Sequence, residues 1–232
     1  MSIHKLDKEY MREKPNSEDL SAQLRCPAGA EARLVGENMY QSNSNMIFET
    51  INVLNIRPYA KVFEIGFGSG MHLSYLFEKE DTLIYEGIDI SEAMVEEANR
   101  NNSSLVKLGK ATFRHTIESQ SLSLRDSFFD YCFSVNTIYF WNNPQAYFDE
   151  IFRILSKGGV VGISFIAKSF GTKLPFTQTG FTFYEIDEVE AFLYNSGFIN
   201  IQYITLTEDA ISKDGQKVTR PFIIVTATKD QH

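Results

Sequence analysis

The chain has 232 residues, 43% of them apolar and 22% charged, which suits one well-buried globular core and excludes a fibre or a disordered tail. Its 22 lysines and arginines against 30 aspartates and glutamates leave a net charge of −8, a field that repels phosphate backbones and anionic lipid heads, so neither nucleic acid nor a membrane surface is an expected partner. The two cysteines, Cys26 and Cys132, are too few for a disulfide framework and read as reduced thiols of a cytoplasmic protein.

The first twenty residues mix charges of both signs and lack the apolar stretch of a signal peptide. The longest apolar run, residues 160–167, is far short of the ~20 residues that span a bilayer. Up to about residue 60 the pattern is helical. Ser17 is placed to cap a short helix carrying Leu20 and Leu24, broken at Pro27 and Gly29. A second helix carries Met46, Ile47, Thr50, Ile51 and Leu54 on one face and ends before Arg57-Pro58. Residues 1–56 are therefore expected to form a helical cap ahead of a main domain, residues 57–232, the two making one globular unit.

From Lys61 the pattern changes to short apolar runs alternating with amphipathic segments, as in βαβ units stacked on a mostly parallel sheet. Residues 62–65, 83–88, 112–115, 129–135 and 160–166 are the expected strands. Ser91 is a cap for a helix carrying Met94, Val95 and Ala98, and Asn143 followed by Pro144 supplies a cap and a first-turn proline for another. That helix puts Phe148, Ile151, Phe152 and Leu155 on one face and is expected to stop at Lys157-Gly158-Gly159, where a glycine takes the left-handed turn. Residues 168–184, rich in aromatic side chains, are long for a connection and read as a functional lid over a flat or apolar ligand. A helix to about Asn195 follows, then strands at 199–206 and 222–228, which pair most easily as an antiparallel hairpin. The triplets beginning at Asn101 and Asn102 match a glycosylation acceptor by chance, since no secretion signal accompanies them.

The strongest local signal is Val62-Phe63-Glu64-Ile65-Gly66-Phe67-Gly68-Ser69-Gly70, a strand running into a glycine-rich turn and then a helix. Glycines let the backbone turn sharply and approach a ligand without a Cβ in the way, and the helix that follows points free N–H groups at an anion. A dinucleotide enzyme would want G-x-G-x-x-G, but position 71 is Met71 and the spacing here is G-x-G-x-G. Asp89, 19 residues past Gly70 at the end of the next strand, is placed to accept hydrogen bonds from both hydroxyls of a ribose.

These two motifs in register resemble the class I S-adenosylmethionine-dependent methyltransferases, and within them the small-molecule group related to quinone-biosynthesis methyltransferases, over residues 57 to about 167. The resemblance implies an α/β Rossmann-like fold with a mostly parallel seven-stranded sheet, an antiparallel last strand and helices on both faces. It implies S-adenosylmethionine as cofactor, with Glu64, Gly66, Phe67, Gly68 and Gly70 holding the methionyl part, Asp89 the ribose and Ile90 the adenine. Glu118 and Ser119 fall where the family has an acid near the adenine amino group, and Asn136 in Ser134-Val135-Asn136-Thr137 falls at the methionine end. Residues 23–43 resemble a stretch of bacterial methyltransferases and are expected to lie over the cofactor as a cap, with Met39, Tyr40, Asn43 and Asn45 as candidates to touch it.

Methyl transfer from a sulfonium is an in-line displacement that needs alignment and water exclusion more than a catalytic triad. No catalytic residue is assigned; His72, His115, Glu185, Tyr10, Tyr40 and Tyr139 are candidates should the acceptor need a base, and no metal is implied. The acceptor is expected to be a small molecule. The chain has Asn136-Thr137-Ile138-Tyr139 where enzymes methylating nucleobase or glutamine nitrogens carry an Asn/Asp-Pro-Pro-aromatic motif. Two other readings stand beside this one: a non-catalytic protein that binds the same cofactor, and a nicotinamide-dependent oxidoreductase.

Overall fold

The structure, a computed structural model, describes residues 17–117, 122–211 and 217–230. Two helices lead, α1 (Ser17–Arg25) and α2 (Ala32–Leu54), joined through a short 3-10 turn at Gly29–Glu31. The periodicity of Met46 to Leu54 marked only the last turns of α2. Its middle, residues 37–45, is mostly polar and includes five weak helix formers, Asn38, Ser42, Asn43, Ser44 and Asn45, and is helical because Val35, Gly36, Met46 and Ile51 are buried against the rest of the molecule. Asn55 closes it in the left-handed conformation, with φ 45°.

The alternating region then runs β1 (Lys61–Ile65), α3 (Leu73–Lys79), β2 (Ile84–Asp89), α4 (Glu92–Asn101), α5 (Ser103–Lys107), β3 (Ala111–His115) and β4 (Phe129–Val135). It continues through a 3-10 turn at Ile138–Phe140, α6 (Pro144–Ile154), β5 (Leu155–Ile166), α7 (Lys168–Gly171), a 3-10 turn at Pro175–Thr177, α8 (Ile186–Asn195), β6 (Phe198–Ile211) and β7 (Lys217–Lys229). The seven strands form one sheet in the order β3-β2-β1-β4-β5-β7-β6. Every pairing among β1 to β5 is parallel, whereas β7 is antiparallel to both β5 and β6, so the expected sheet with one reversed strand is the one observed.

Caps and patterning account for the elements. Ser91 Oγ accepts the Met94 N–H at the start of α4, and Asn143 Oδ1 accepts the Ala146 N–H ahead of Pro144 at the start of α6. The central strands are apolar on both faces because helices cover both, and Phe63, Tyr85, Phe133, Phe148, Phe165 and Phe222 are fully buried between the layers. Cys26 and Cys132 are both free thiols. Among the described residues no helix is long and apolar enough to cross a membrane.

Two expectations are corrected. The helix before β5 stops at Ile154 rather than at the glycines, and Gly158, with φ 75°, lies inside β5, where pairing slips from Phe129↔Leu155 to Tyr131↔Val160. Its left-handed backbone makes a bulge instead of a helix end. Residues 168–184 do not line the central cavity. Phe181 and Phe183 stack with ring centroids 5.8 Å apart and pack on Tyr139, at 5.8 and 4.8 Å, and the Ser21 hydroxyl of α1 donates to the Thr179 carbonyl at 2.8 Å. Those rings reached one another before any ligand, so the segment braces α1 against the sheet.

Candidate functional site

The site is built at the carboxyl ends of β1, β2 and β4, beside the point where the strand order reverses between β1 and β4. After β1 the chain turns through Gly66, Gly68 and Gly70, all left-handed, with φ 79°, 57° and 66°. The Gly66 N–H donates to the Ile88 carbonyl at 2.8 Å, and a Cβ there would lie 2.3 Å from Thr137 Cγ2, so only glycine fits. Around Gly68 the opposite holds, with no atom within 4 Å of where a Cβ would be, which leaves bare backbone facing open space. The amides of Asn101 and Asn102, at the end of α4, donate to the Ser69 and Gly70 carbonyls at 2.9 and 3.0 Å and pin the far side of the turn. Phe67 turns its ring edge-on to Phe113, with centroids 5.1 Å apart.

Asp89 ends β2 opposite this turn and is 8% exposed. One carboxylate oxygen accepts the Gly68 N–H and the other the Ser91 N–H, each at 2.9 Å. Each oxygen keeps a further lone pair, so the group still presents two acceptors side by side. Burial pushes its pKa up from 3.8 to about 6, against the two backbone hydrogen bonds that pull it down. A carboxylate of this kind, next to glycine backbone with open space above it, fits a ligand with two neighbouring hydroxyls, as the ribose of S-adenosylmethionine has.

Glu64, 2% exposed in β1, finds its partners below the turn. Its Oε2 meets His72 Nε2 at 2.8 Å and accepts the Tyr85 hydroxyl at 2.5 Å. His72 is therefore engaged with Glu64, and burial beside that carboxylate holds the Tyr85 phenol well above its ordinary range. Of the other candidate bases, His115 is an exposed residue whose Nε2 lies 3.2 Å from the Ile90 carbonyl, Glu185 precedes α8 with its N–H donated to Glu188, and Tyr10 lies outside the described residues. Glu118 and Ser119 also lie outside the described residues.

One cavity, with about 1040 Å³ of empty space including its open mouth, gathers Glu64, Gly66, Phe67, Gly68, Asp89, Ile90 and Asn136. Gly70 does not line it and packs instead on Asn102 and Ala98. The roof is Leu24, Arg25 and Pro27 over the Ile90 end, where Cys26 Sγ lies 3.5 Å from the Ile90 carbonyl, followed by Met39, Tyr40, Asn43 and Ile47 of α2. Asn45 is not part of it and donates to Glu208 instead, at 2.9 Å. The far wall is Phe140, Trp141 and Tyr147, the last two stacked at 4.6 Å and 12°. An aromatic wall thus follows β4, and Tyr139 lies behind it with its hydroxyl committed and burial raising its pKa well above the usual phenol range.

A polar chain invisible in the sequence ties roof to sheet. The Ile166 N–H donates to the Tyr139 hydroxyl, which donates to Asn136 Oδ1 at 2.9 Å, and Asn136 Nδ2 donates to Asn43 Oδ1 at 2.9 Å. From β7, Arg220 Nη2 donates to the same Asn43 oxygen at 3.1 Å and to the Ser42 carbonyl, while its Nε pairs with Glu208 at 2.5 Å. Arg220 and Glu208 are 15% and 5% exposed. Asn136 holds φ 58°, a left-handed turn that aims its amide at α2.

Comparison with known proteins agrees with this geometry. A family described as "Methyltransferase domain" matches residues 63–163. The uncharacterized methyltransferase YdaC of Bacillus subtilis is 31% identical over 131 residues, 56% of this chain and 70% of that protein. Other curated relatives are an O-methyltransferase of Pyrenophora dematioidea and phosphoethanolamine N-methyltransferases of plants, of whose length the chain spans about a third to a half. Among solved structures, a chain of the complex between the Haloferax volcanii Trm112 methyltransferase activator and a methyltransferase superposes with a TM-score of 0.72 at 15% identity, covering 92% of this chain and 98% of that one. Phosphoethanolamine N-methyltransferase 2 of Haemonchus contortus in complex with S-adenosyl-L-methionine gives 0.69 at 16% identity, covering 95% and 61%.

Proposed function

The chain belongs to the class I S-adenosylmethionine-dependent methyltransferases, with S-adenosylmethionine as cofactor, and from that membership we propose that it methylates a small molecule held between the cofactor and the aromatic wall of this cavity. The observation that carries the proposal is the convergence of the Gly66–Gly70 turn and the Asp89 carboxylate on one cavity that continues past Asn136 to Phe140 and Trp141. When bound, the cofactor supplies a methyl group already activated by its positively charged sulfur.

The chain's own residues do the rest. Asp89 accepts the two ribose hydroxyls, Gly68 leaves room for the ligand to approach the main chain, and Ile90 lies along the base. Glu64, Gly66, Phe67 and Asn136 form the methionyl end, and Gly70 completes the turn behind them. The N-terminal segment, described from residue 17 to 56, acts as a cap on the domain that follows: α2 roofs the cavity, and Met39, Tyr40 and Ile47 exclude water from the point of transfer. Holding acceptor and methyl in line is the main catalytic factor, and no side chain is assigned as a base. The acidic net charge of −8 supports a small acceptor over nucleic acid, and two free thiols support a cytoplasmic setting.

Isothermal titration with S-adenosylhomocysteine, followed by incubation with labelled S-adenosylmethionine and a metabolite extract, tests this. Binding followed by label in a small molecule is the expected result. Absence of binding would refute the site, and binding without transfer to any extract would leave a cofactor sensor in place of an enzyme.

A further inference from the structure

Resting on that reading, we propose that the amide N–H pair of Asn43 is the specificity-determining contact for the acceptor, and that the acceptor is a flat ring bearing an oxygen held as its anion, a phenol or an enol. The polarity of the hydrogen-bond chain around Asn43 is fixed from both ends. At one end the backbone N–H of Ile166 can only donate, so the Tyr139 oxygen accepts it and the Tyr139 proton goes to Asn136 Oδ1. Asn136 is thereby turned with its nitrogen towards α2, where it donates to Asn43 Oδ1. At the other end the Arg220 guanidinium, which has no acceptor to offer, donates to the same oxygen. Two obligatory donors therefore turn the Asn43 amide oxygen towards Asn136 and Arg220. Asn43 also lines the cavity, and we take its nitrogen to be the atom that offers its two N–H bonds there.

The neighbours decide what those donors meet. At this end the lining is Met39, Tyr40, Phe140 and Trp141, while the charged lining groups Arg25, Glu64 and Asp89 belong to the glycine turn and the Ile90 end. Arg220 stands behind Asn43 but is paired with Glu208, and neither lines the cavity, so a phosphate or an ammonium would give up its hydration here with no lining counter-charge to replace it. A phenolate spreads its charge over a ring that the aromatic wall accommodates and presents its oxygen to two fixed N–H donors. Donors preorganised in this way favour the ionised acceptor, which accounts for a site where His72 and Tyr139 are already committed to other partners.

The test uses protein loaded with S-adenosylhomocysteine, so that no turnover occurs, and para-nitrophenol or nitrocatechol as probe, whose colour reports ionisation. Saturable binding with the probe's ionisation shifted at least about one pH unit downward, a tenfold change in proton affinity, is expected. Asn43→Asp keeps an oxygen for both Asn136 and Arg220 and replaces only the cavity-facing donors; it should weaken the probe by about tenfold or more while leaving S-adenosylhomocysteine affinity within about twofold. Asn43→Ala should lose the ionisation shift as well, with thermal unfolding recorded alongside. The proposal is overturned if neither probe binds, if either binds without a shift, if phosphoethanolamine displaces them, or if Asn43→Asp costs cofactor affinity instead, which would assign the amide to the cofactor. Failure of wild-type protein to bind S-adenosylhomocysteine is read separately in the same titration and would remove the methyltransferase reading, and this one with it.

Discussion

If the Asp89 carboxylate holds the ribose, cofactor affinity should follow its ionisation. Two hydroxyls donate to it, so the ligand selects the ionised form, while burial has raised the pKa to about 6. At pH 5 only about a tenth of the protein carries that carboxylate and at pH 8 nearly all does, so S-adenosylhomocysteine should bind about tenfold more weakly at pH 5. Binding at pH 5 should also release close to one proton, detectable as a dependence of the calorimetric enthalpy on the buffer used. In the ligand-free protein the sign is reversed. The folded-state pKa lies above the unfolded 3.8, so the native state holds the extra proton between those values, and stability falls as pH rises through that window. Above pH 6 the deficit is about 3 kcal/mol. Asp89→Asn removes this cost but leaves the Gly68 or the Ser91 N–H without its acceptor, so a net stabilisation of about 1 kcal/mol is expected at pH 7. The same variant should lose about 3 kcal/mol of cofactor affinity, roughly a hundredfold, and bind with no pH dependence. A wild-type affinity equal at pH 5 and pH 8 would refute the reasoning.

Gly66→Ala drives a methyl group to 2.3 Å from Thr137 Cγ2 on a backbone with φ 79°, and should cost about 2–4 kcal/mol in urea denaturation together with loss of cofactor binding. Adding Thr137→Ser removes that methyl while keeping a hydroxyl for Ser134, and should recover roughly half of the stability; no recovery would mean that backbone strain dominates. Arg220→Met strands Glu208 in a site 5% exposed and should cost about 3–5 kcal/mol, most of it restored by Glu208→Gln, as a double-mutant cycle would measure. Asn143→Ala removes the α6 cap, and a loss of about 1 kcal/mol with unchanged cofactor affinity is expected.

What the sequence discloses depends on how far apart the interacting residues are. Strands buried on both faces announce themselves as apolar runs, and Ser91 and Asn143 are local caps, so the strands and the starts of α4 and α6 were legible. The glycine turn and Asp89 were legible because a tight turn and a strand-end acid have local residue requirements. Gly158 misled because a left-handed glycine serves a bulge as well as a helix end, and only the β4 register distinguishes the two. The aromatic run 168–184 misled because composition does not say whether rings meet a ligand or one another. An acid among apolar strand residues, as Glu64 is, needs buried partners, but nothing local in the sequence names His72 and Tyr85 as those partners. Asn101 and Asn102, set aside as a chance triplet, turned out to pin the turn. Asn43 and Arg220, 177 positions apart, carry no sequence signal of their meeting.

That last separation bears on how the molecule is made. β7 is synthesised after every other strand described, yet it lies between β5 and β6, so the sheet on that side stays open until residue 217 and beyond have emerged. Only then can Arg220 reach back to Ser42 and Asn43 and fasten α2 over the cavity. Closing so long a loop is slow compared with folding the local βα units, so a growing chain would carry a finished glycine turn and Asp89 beneath an unfastened roof. The roof over the glycine turn is thus fastened only once β7, the last strand described, has been made.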